Sequence, residues 1–392
     1  MLKQCLIVVL FLALFSAAQA QDTQSHDGHI DGDTPSQDFP VTLKSGDVVK
    51  ITTTTPESGG LDTVLNLYNP AGESVAMNDD AYDNMQDSQI VYVVPEGGDY
   101  RINVMRYDDS TEGDYRLDVK IGDDSLLKYD VHMTGTELTR DSEHFRFHYT
   151  KSGSDAVTSA FLGAVVRAFE NAWHVEIDKL GWPKPPSDGV MGGSDLYDIY
   201  VMDVVGSSDE ALGITSPEAD VADNPNTSEV EDYASTSYIA IDNDFHDVDF
   251  LAGQDAVTVM RSTAVHEFHH AIQMGYDGNE SHSWLSEATA TWMESIAAGK
   301  DQDATGYVET AFQYPEVCFG SDSTDSTLIY GEWPFLQLLT DDFGKDAVMN
   351  LWRQIADFEG FDALEHYLRT VDTDVPHELA RYRIKNLARD YK

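Results

Sequence analysis

The spacing of apolar residues changes along this chain of 392 residues, so that its two parts must fold differently. Between residues 38 and 122, short runs alternate apolar and polar side chains, which is the period of a strand with one buried face. Clusters rich in Pro and Gly at residues 69–72 and 95–98 separate these runs. The pattern predicts an antiparallel β-sandwich. Its strands are expected to include residues 48–52, 63–68, 90–94, 100–104 and 115–119.

A polar connector at residues 123–140 leads to a second domain, residues 141–392. Its first half mixes short alternating runs with one helical pattern, and a long acidic loop is predicted at residues 206–234. The expected strands are 144–149, 197–202 and 237–241, and the expected helix is 155–180. From residue 255 onward, nearly every segment has helical periodicity. The chain is therefore predicted to be a multidomain α+β protein with a mainly helical C-terminal half.

Residues 1–20 have the features of a cleaved secretory signal. Lys3 precedes an apolar run at residues 6–15, and small residues occupy the positions that favour cleavage before residue 21. The run is too short to span a bilayer comfortably, and an uncleaved anchor is the alternative. The signal predicts a secreted or periplasmic protein with no membrane segment after cleavage. The polar residues 21–37 that follow are predicted to be a disordered leader.

Removal of the signal leaves one cysteine, Cys318, because Cys5 lies within the signal. An exported protein without a disulfide depends on its hydrophobic core, and on any bound metal, for its stability. Cys318 is flanked by the apolar residues Val317 and Phe319. It is therefore predicted to be a small buried side chain rather than a nucleophile.

Acidic residues outnumber basic residues by 70 to 24, which gives a net charge of −46. Such a charge opposes association with nucleic acid or anionic membranes, so neither is expected as a partner. The carboxylates are spread along the whole chain rather than collected in one tail. Dispersed acid with few lysines suits a protein that works in concentrated salt, where screening removes self-repulsion. Calcium binding is the competing explanation for the acid.

If the acid reflects salt adaptation, the melting temperature should rise with salt. We expect Tm to increase by several degrees between about 0.1 M and about 1 M NaCl, because the Debye length falls from about 10 Å to about 3 Å. Circular dichroism melts at both salt concentrations measure the change. A parallel melt in sucrose controls for general solute exclusion. A Tm that stays constant or falls with salt contradicts the hypothesis.

The strongest motif lies in a segment predicted to form one continuous helix from about residue 255 to residue 274. His266 and His270 stand one helical turn apart on one face, with Glu267 beside them. Two neutral imidazoles can hold Zn²⁺, and the adjacent carboxylate can take a proton from water. His269 points about 100° away from His270 on the helix and is not expected to be a ligand.

A catalytic zinc site needs a third protein ligand. A metzincin would have Gly and His where this chain has Gln273 and Tyr276. The next predicted helix offers Glu287, and His282 in the preceding loop is the alternative ligand. Glu294 lies two helical turns beyond Glu287 and is expected to accept a hydrogen bond from a ligand imidazole. For both glutamates, an ordinary exposed helix position is the competing interpretation.

Residues 38–122 resemble the bacterial pre-peptidase C-terminal domain, a small jelly-roll-like module found beside secreted bacterial peptidases, and the resemblance implies a jelly-roll-like form for this sandwich. The resemblance rests on the runs at residues 61–68 and 113–117, and on an Asn-Asp-Asp sequence at residues 78–80. The module usually follows the catalytic domain, whereas in this chain it precedes the second domain. This order of domains leaves the role of the sandwich open.

Three carboxylates in this module are candidate calcium ligands. Asp79, Asp80 and Asp83 lie in one predicted loop, and carboxylate oxygens are ligands that Ca²⁺ prefers. A solvated acidic loop without a bound ion is the alternative.

The motif helix and the helix after it resemble the gluzincin zinc metallopeptidases. Residues 284–294 are similar to the third-ligand helix of the zinc aminopeptidases, with Ser and Ala where that family has Asn and Gly. Over residues 140–392 the chain is also similar to uncharacterised secreted bacterial metallopeptidases. The resemblance implies that the two motif histidines and Glu287 bind zinc. It also implies that Glu267 is the general base.

Tyr330 begins a later helix, at a place where the aminopeptidases carry a tyrosine that donates a hydrogen bond to the oxyanion. The resemblance implies that role for Tyr330, although Gly331 follows directly here and a core tyrosine is the alternative. The G-x-M-E-N signature that binds a free amino terminus is absent upstream, which favours an endopeptidase. The strand at residues 238–241 is expected to present its edge to an extended substrate.

These features predict a secreted zinc-dependent peptidase that cleaves protein or peptide substrates with a zinc-activated water and Glu267 as general base. The main alternative is a non-catalytic extracellular binding or adhesion protein with a structural zinc site. The intact Glu267 argues against that alternative, because a structural site has no need of a base. Hydrolysis of a non-peptide amide or epoxide is a third possibility. The sequence leaves the oligomeric state open.

Overall fold

The computed structural model describes residues 22–56, 60–78, 87–107, 111–122, 126, 131–205, 211–246, 255–280, 282–298, 304–314, 317–321 and 327–388. The predicted signal at residues 1–20 lies outside these ranges, and so do the candidate calcium ligands Asp79, Asp80 and Asp83. In the described part of the chain, no helix combines the length and the hydropathy that crossing a bilayer requires.

The N-terminal module, residues 22–122, contains two antiparallel sheets of four strands each. The strands are β1 (Asp22–Ile30), β2 (Ser36–Leu43), β3 (Val48–Thr54), β4 (Thr63–Tyr68), β5 (Ser74–Asn78), β6 (Gln89–Val93), β7 (Gly98–Arg106) and β8 (Gly113–Gly122). One sheet has the order β1-β8-β3-β6 and the other β2-β7-β4-β5. Alternate apolar residues from both sheets, including Ile51, Leu65 and Val104, form one buried core. The prediction of antiparallel sheets in this region is confirmed.

The prediction of a disordered leader at residues 21–37 is wrong. Residues 22–30 form β1, which pairs with β8 along its whole length, from Asp22 opposite Ile121 to Ile30 opposite Gly113. Ile30 is fully buried in the core. The polar composition misled the prediction, because β1 lies at the edge of its sheet and most of its side chains face solvent.

The second domain is built on a five-stranded sheet. Its strands are β9 (Leu138–Asp141), β10 (Phe145–Tyr149), β11 (Tyr197–Met202), β12 (Gly213–Ala222) and β13 (Ala234–Asp242). Their order is β12-β13-β11-β10-β9, with β10, β11 and β13 parallel to one another and the two edge strands antiparallel to their neighbours. The predicted connector, residues 123–140, therefore ends within β9.

Strand β12 corrects two predictions. It occupies part of residues 206–234, where a long acidic loop was expected. Its register with β13 shifts between Pro217 and Ala219 and again between Asp220 and Ala222, and such irregularities hide the alternation that marks a strand. β12 is also the edge of the sheet, whereas β13, the strand expected to offer its edge to substrate, is paired on both sides.

Helices cover one face of this sheet and form the C-terminal half, as predicted. They are α1 (Ser159–Trp173), α2 (Ala256–Met274), α3 (Ser283–Ala297), α4 (Ala304–Gln313), α5 (Thr327–Tyr330), α6 (Pro334–Phe343), α7 (Ala347–Ile355), α8 (Gly360–Thr370) and α9 (Val375–Ala388). A π-helical segment, His174–Leu180, continues α1, and the φ of 82° at the following Gly181 suits a residue without a Cβ. Alternate strand residues such as Phe147, Val201 and Ile241 pack against the helices.

The other face of the sheet contacts the N-terminal module. Val48 of β3 forms a small buried cluster with Met191 and Tyr200. The ring of His148 stacks on Tyr200 at a centroid distance of 4.4 Å, and its Nε2 atom lies 2.6 Å from Asp198 Oδ1. Ionisable and aromatic residues therefore occupy the layer between the module and the sheet.

Cys318 is exposed, which corrects the prediction that it is buried. It lies in the connection between α4 and α5, where Val317 and Phe319 on either side are partly buried. Apolar neighbours in sequence do not fix the direction of a side chain in a connection, because no regular period applies there.

Candidate metal centre

Helix α2 positions the two histidines of the motif. The carboxylate of Asp255 accepts a hydrogen bond from the backbone N–H of Thr258 at 3.1 Å and caps the start of the helix. The helical period then brings the imidazole rings of His266 and His270 to a centroid separation of 4.7 Å. Two ring nitrogens consequently point toward one place beside α3.

Helix α3 packs against α2 and brings Glu287 to that place. Glu287 Oε2 lies 3.0 Å from His266 Nε2 and 3.5 Å from His270 Nε2. The three candidate ligand atoms all lie within 4.8 Å of one another. The small buried residues Ala264 and Ala288 belong to the core that the two helices share. Two imidazole nitrogens and one carboxylate oxygen are a donor set that fits Zn²⁺.

The charges of these three residues are strongly coupled. Burial by itself disfavours the charged form of His266, but Glu287 and Glu294 outweigh it and raise its pKa well above the usual value. The pKa of His270 is also raised, since Glu287 overcomes the effect of burial. Burial opposes ionisation of Glu287 as well, yet the two imidazoles lower its pKa far below the ordinary range. In the metal-free protein the site therefore favours protonated imidazoles around an ionised carboxylate.

Zinc binding is expected to weaken steeply as the pH falls. A metal ion must displace protons from His266 and His270, and their raised pKa values mean that both rings hold protons at a higher pH than free imidazole, whose pKa is about 6.5. Affinity should be constant above the raised pKa values. Below both of them it should fall by up to about 100-fold per pH unit, because two protons are displaced.

Zinc titrations of the metal-free protein against a fluorescent indicator, from about pH 8.5 to about pH 5.5, measure this dependence. Correction for the protonation of the indicator itself is the control. An affinity that declines only below the ordinary imidazole pKa of about 6.5 would contradict the prediction.

Hydrogen-bond partners fix the orientation of both imidazole rings. Glu294 Oε1 lies 2.7 Å from His266 Nδ1, and the hydroxyl of Ser262 donates to the other oxygen of the same carboxylate. Gln273 Oε1 lies 2.7 Å from His270 Nδ1, and Gln273 Nε2 donates to the backbone carbonyl of Ser286 at 3.0 Å. Each ring therefore presents its Nε2 atom to the ligand cluster, as metal-binding histidines commonly do.

Glu267 lies between the ligand cluster and the edge strand β12. The hydroxyl of Thr215 donates to Glu267 Oε2 and to the backbone carbonyl of Glu267, both at 2.8 Å. A Cβ atom on Gly213 would lie 2.7 Å from Glu267 Cγ and 2.9 Å from Thr263 Cγ2, so only glycine fits there without a shift of these atoms. β12 therefore holds the Glu267 side chain in place through close contact and hydrogen bonding.

Tyr330 lies beside the same cluster. Its ring stacks on His266 at a centroid distance of 5.7 Å and on Tyr307 at 4.9 Å, and its hydroxyl lies near the Glu287 carboxylate. Burial, with the nearby Glu287 carboxylate, raises the pKa of Tyr330 well above its usual value. The hydroxyl therefore remains a proton-bearing donor at every pH where the protein is expected to work.

The neighbouring histidines have other partners. His269 is fully buried, with its Nδ1 atom 2.8 Å from Glu176 Oε2, on the side of α2 away from the cluster. The Nδ1 atom of His282 lies 2.7 Å from Glu280 Oε1. Of the two alternatives for a third ligand, it is Glu287 that lies with His266 and His270.

A second group of potential ligands lies elsewhere, at residues 143, 144 and 170. His144 Nδ1 lies 2.7 Å from Glu170 Oε2, and the His144 ring stacks on Trp173 at a centroid distance of 4.3 Å. Glu143 is exposed, so this group lacks the enclosure that surrounds the α2–α3 cluster.

Four residues of the site were not identified from the sequence: Gly213, Thr215, Ser262 and Gln273. Gln273 had a detectable signal, because it lies three residues after His270 and so on the same helix face. Gly213 and Thr215 had none, since their strand was taken for a loop.

Two family models match parts of the chain. Residues 35–105 match the bacterial pre-peptidase C-terminal domain, which confirms the resemblance predicted for the N-terminal module. This domain is typical of secreted bacterial proteins. Residues 243–392, which include α2 and α3, match a family of unknown function, DUF6055. No curated protein matches the chain.

Several solved structures are similar to parts of the chain. The pre-peptidase C-terminal domain of a collagenase from Bacillus anthracis is 17% identical with a TM-score of 0.22, over 25% of this chain and 88% of that one. A metallopeptidase from Bacteroides thetaiotaomicron is 11% identical with a TM-score of 0.32, and the match covers 83% of this chain and 56% of that one. IMPa from Pseudomonas aeruginosa, solved with an O-glycopeptide, is 10% identical with a TM-score of 0.22, and the match covers 90% of this chain and 45% of that one. The chain spans about half the length of these two metallopeptidases.

Proposed function

We propose that this protein is a secreted zinc-dependent peptidase that cleaves within peptide chains. The observation that carries the proposal is the convergence of His266, His270 and Glu287 from two adjacent helices, with their ligand atoms within 4.8 Å of one another. Glu267 and Tyr330 adjoin the same cluster. A structural zinc site has no use for these two additional groups, whereas a hydrolase needs both a base and a hydrogen-bond donor.

Each residue has a distinct role in the proposed reaction. His266, His270 and Glu287 hold zinc, which when bound supplies a Lewis acid that polarises a carbonyl and activates water. Glu267 accepts the proton of the attacking water and passes it to the leaving amine. The Tyr330 hydroxyl donates a hydrogen bond to the carbonyl oxygen as negative charge develops on it.

The outer edge of β12, the terminal strand of its sheet in the described part of the chain, is the proposed docking site for the substrate backbone. An edge strand offers a row of N–H and C=O groups to an extended peptide, and Gly213 and Thr215 of this strand adjoin Glu267. The absence of a G-x-M-E-N signature upstream supports cleavage within a chain rather than at a free amino terminus. We also propose that the N-terminal signal directs export of the protein.

Metal analysis combined with a digestion assay tests this function. The purified protein is expected to contain about one zinc ion per chain, to digest casein, and to lose that activity in a chelator and regain it with added zinc. Zinc without digestion of casein or of a peptide library would favour the binding-protein alternative. Digestion that persists after removal of the metal would contradict the proposed chemistry.

Replacing Gly213 with Ala is expected to reduce kcat of casein or peptide hydrolysis by about 10- to 100-fold, because the new methyl group displaces the Glu267 carboxylate from its position. Zinc content should be unchanged, since Gly213 contacts no ligand. The matched control is Gly32→Ala, because a Cβ at Gly32 meets no atom within 4 Å. Equal activities of the two variants would show that the position of Glu267 does not depend on β12.

A further inference from the structure

A cleft of about 360 Å³ lies between the N-terminal module and the five-stranded sheet of the second domain, called the catalytic sheet below. Residues 76–78 of β5 and 89–91 of β6 line one side of it. Glu218, Ala219 and Val221 of β12 line the other side, together with Thr236 and the segment before β11. The module therefore forms one wall of a cavity whose other wall is the strand that adjoins Glu267.

Both walls end in sheet edges. β12 is the terminal strand of the catalytic sheet, and β5 is the terminal strand of one sheet of the module. From Thr215, which contacts Glu267, the strand continues to Glu218 and Val221 in the cleft, a distance of about 10 to 20 Å at about 3.3 Å per residue. A peptide that pairs with the outer edge of β12 at Glu267 reaches the cleft within a few residues.

Alternation places part of such a peptide inside the cleft. Thr215 faces α2, whereas Glu218 is held on the opposite face by a hydrogen bond from the Thr236 hydroxyl to Glu218 Oε2 at 3.2 Å. Side chains of an added strand also alternate between the two faces. Those that point away from α2 therefore enter the space between the sheet and the module.

The residues that line the cleft favour one kind of substrate side chain. The acidic residues Glu218 and Asp188 line the cleft, where Asp188 also interacts with Asp198, and the described residues that line it include no lysine or arginine. Met77 and Val221, which are 52% and 37% exposed, add apolar surface suited to an aliphatic stem. A long side chain with a cationic end matches both features, because its methylene groups cover apolar surface while its charge meets the carboxylates.

We propose that the N-terminal module and β12 together form a subsite that binds an extended, basic segment of the peptide substrate about three to six residues from the scissile bond. This inference rests on the proposed peptidase function and adds a substrate class to it. It also gives the module, which precedes the catalytic domain here, a direct part in substrate selection.

Binding and cleavage of matched peptides test the proposal on the full mature protein with zinc. One fluorescent peptide of about ten residues alternates Lys and Val, a second has Glu in place of Lys, and a third is the basic peptide with alternate backbone nitrogens methylated. We expect the basic peptide to bind at least about tenfold more tightly than the acidic one. The N-methylated peptide should bind weakly, because it keeps the charge but cannot pair with a strand edge.

The double variant Glu218→Gln/Asp188→Asn should weaken binding of the basic peptide by about fivefold at low salt. The matched control, Asp357→Asn/Glu359→Gln at the α7–α8 connection, removes the same charge outside the cleft and should bind like the unmodified protein. Equal binding by the two double variants, or equal affinity for the methylated and unmethylated peptides, would overturn the subsite. A protein that binds the basic peptide as expected but cleaves nothing would keep the subsite and refute the peptidase.

Discussion

Replacing Glu267 with Gln is expected to reduce kcat for peptide hydrolysis by about 10²- to 10⁴-fold, because the amide cannot accept the proton of the attacking water. Gln has nearly the shape of Glu and can still accept the hydrogen bond from Thr215, so the local structure should be preserved. Because Glu267 is not one of the clustered ligands, zinc content should remain at the level of the unmodified protein. Initial rates on casein and a quenched fluorescent peptide, with metal analysis of the same sample, measure both effects.

The control for this experiment is Glu359→Gln, which makes the same chemical change at an exposed position outside the site. Its activity should match that of the unmodified protein. If Glu267→Gln kept full activity with its zinc in place, Glu267 would not be the general base. If it lost zinc as well as activity, its role would be structural, and the assignment of ligands would need revision.

Replacing Glu287 with Ala is expected to weaken zinc binding by more than about 100-fold, which exceeds the range of about 10- to 100-fold typical of losing a hydrogen-bond partner of a ligand. Glu287 supplies the anionic donor of the cluster, and its removal leaves two neutral imidazoles, a much weaker site for a divalent cation. Peptidase activity should disappear at ordinary zinc concentrations. Competition with a chelator of known affinity gives the Kd.

Two further variants test whether the loss of zinc binding is specific to Glu287. Ser286→Ala alters the adjacent residue of α3 but keeps the backbone carbonyl that accepts from Gln273, so it should bind zinc normally. Glu294→Gln should weaken binding by only about 10- to 100-fold, because Glu294 orients His266 without being in the ligand cluster. An unchanged zinc Kd in Glu287→Ala would remove Glu287 from the ligand set and return His282 to consideration.

The local features of the site could be predicted from the sequence because they depend on the spacing of residues only a few positions apart in one helix or strand. A helix places residues four apart on one face, so His266 and His270 were bound to be neighbours once α2 formed. The same reasoning placed Glu287 and Glu294 on one side of the next helix. The alternating runs of the N-terminal module likewise identified β3, β4 and β7 before any tertiary contact was known.

The two strands that the sequence analysis missed share one physical cause. β1 and β12 are edge strands, and edge strands tolerate polar, acidic and irregular sequences because only one side of each must pair. Residues 22–30 were taken for disorder for that reason, and residues 213–222 for a loop. The contact between Thr215 and Glu267 was lost with the second error, since it joins residues 52 positions apart through the pairing of β12 with β13.

The sequence by itself determined the two-part architecture, the helix that carries the motif and the residue types suited to zinc, because each follows from periodicity or side-chain chemistry within a few neighbouring residues. Only the tertiary structure decided that Glu287, not His282, lies with the two histidines and that Gly213 and Thr215 hold Glu267. It alone decided that the N-terminal module faces β12 across a cleft. These arrangements depend on how helices and sheets pack across long separations in the chain, and no local period records that packing.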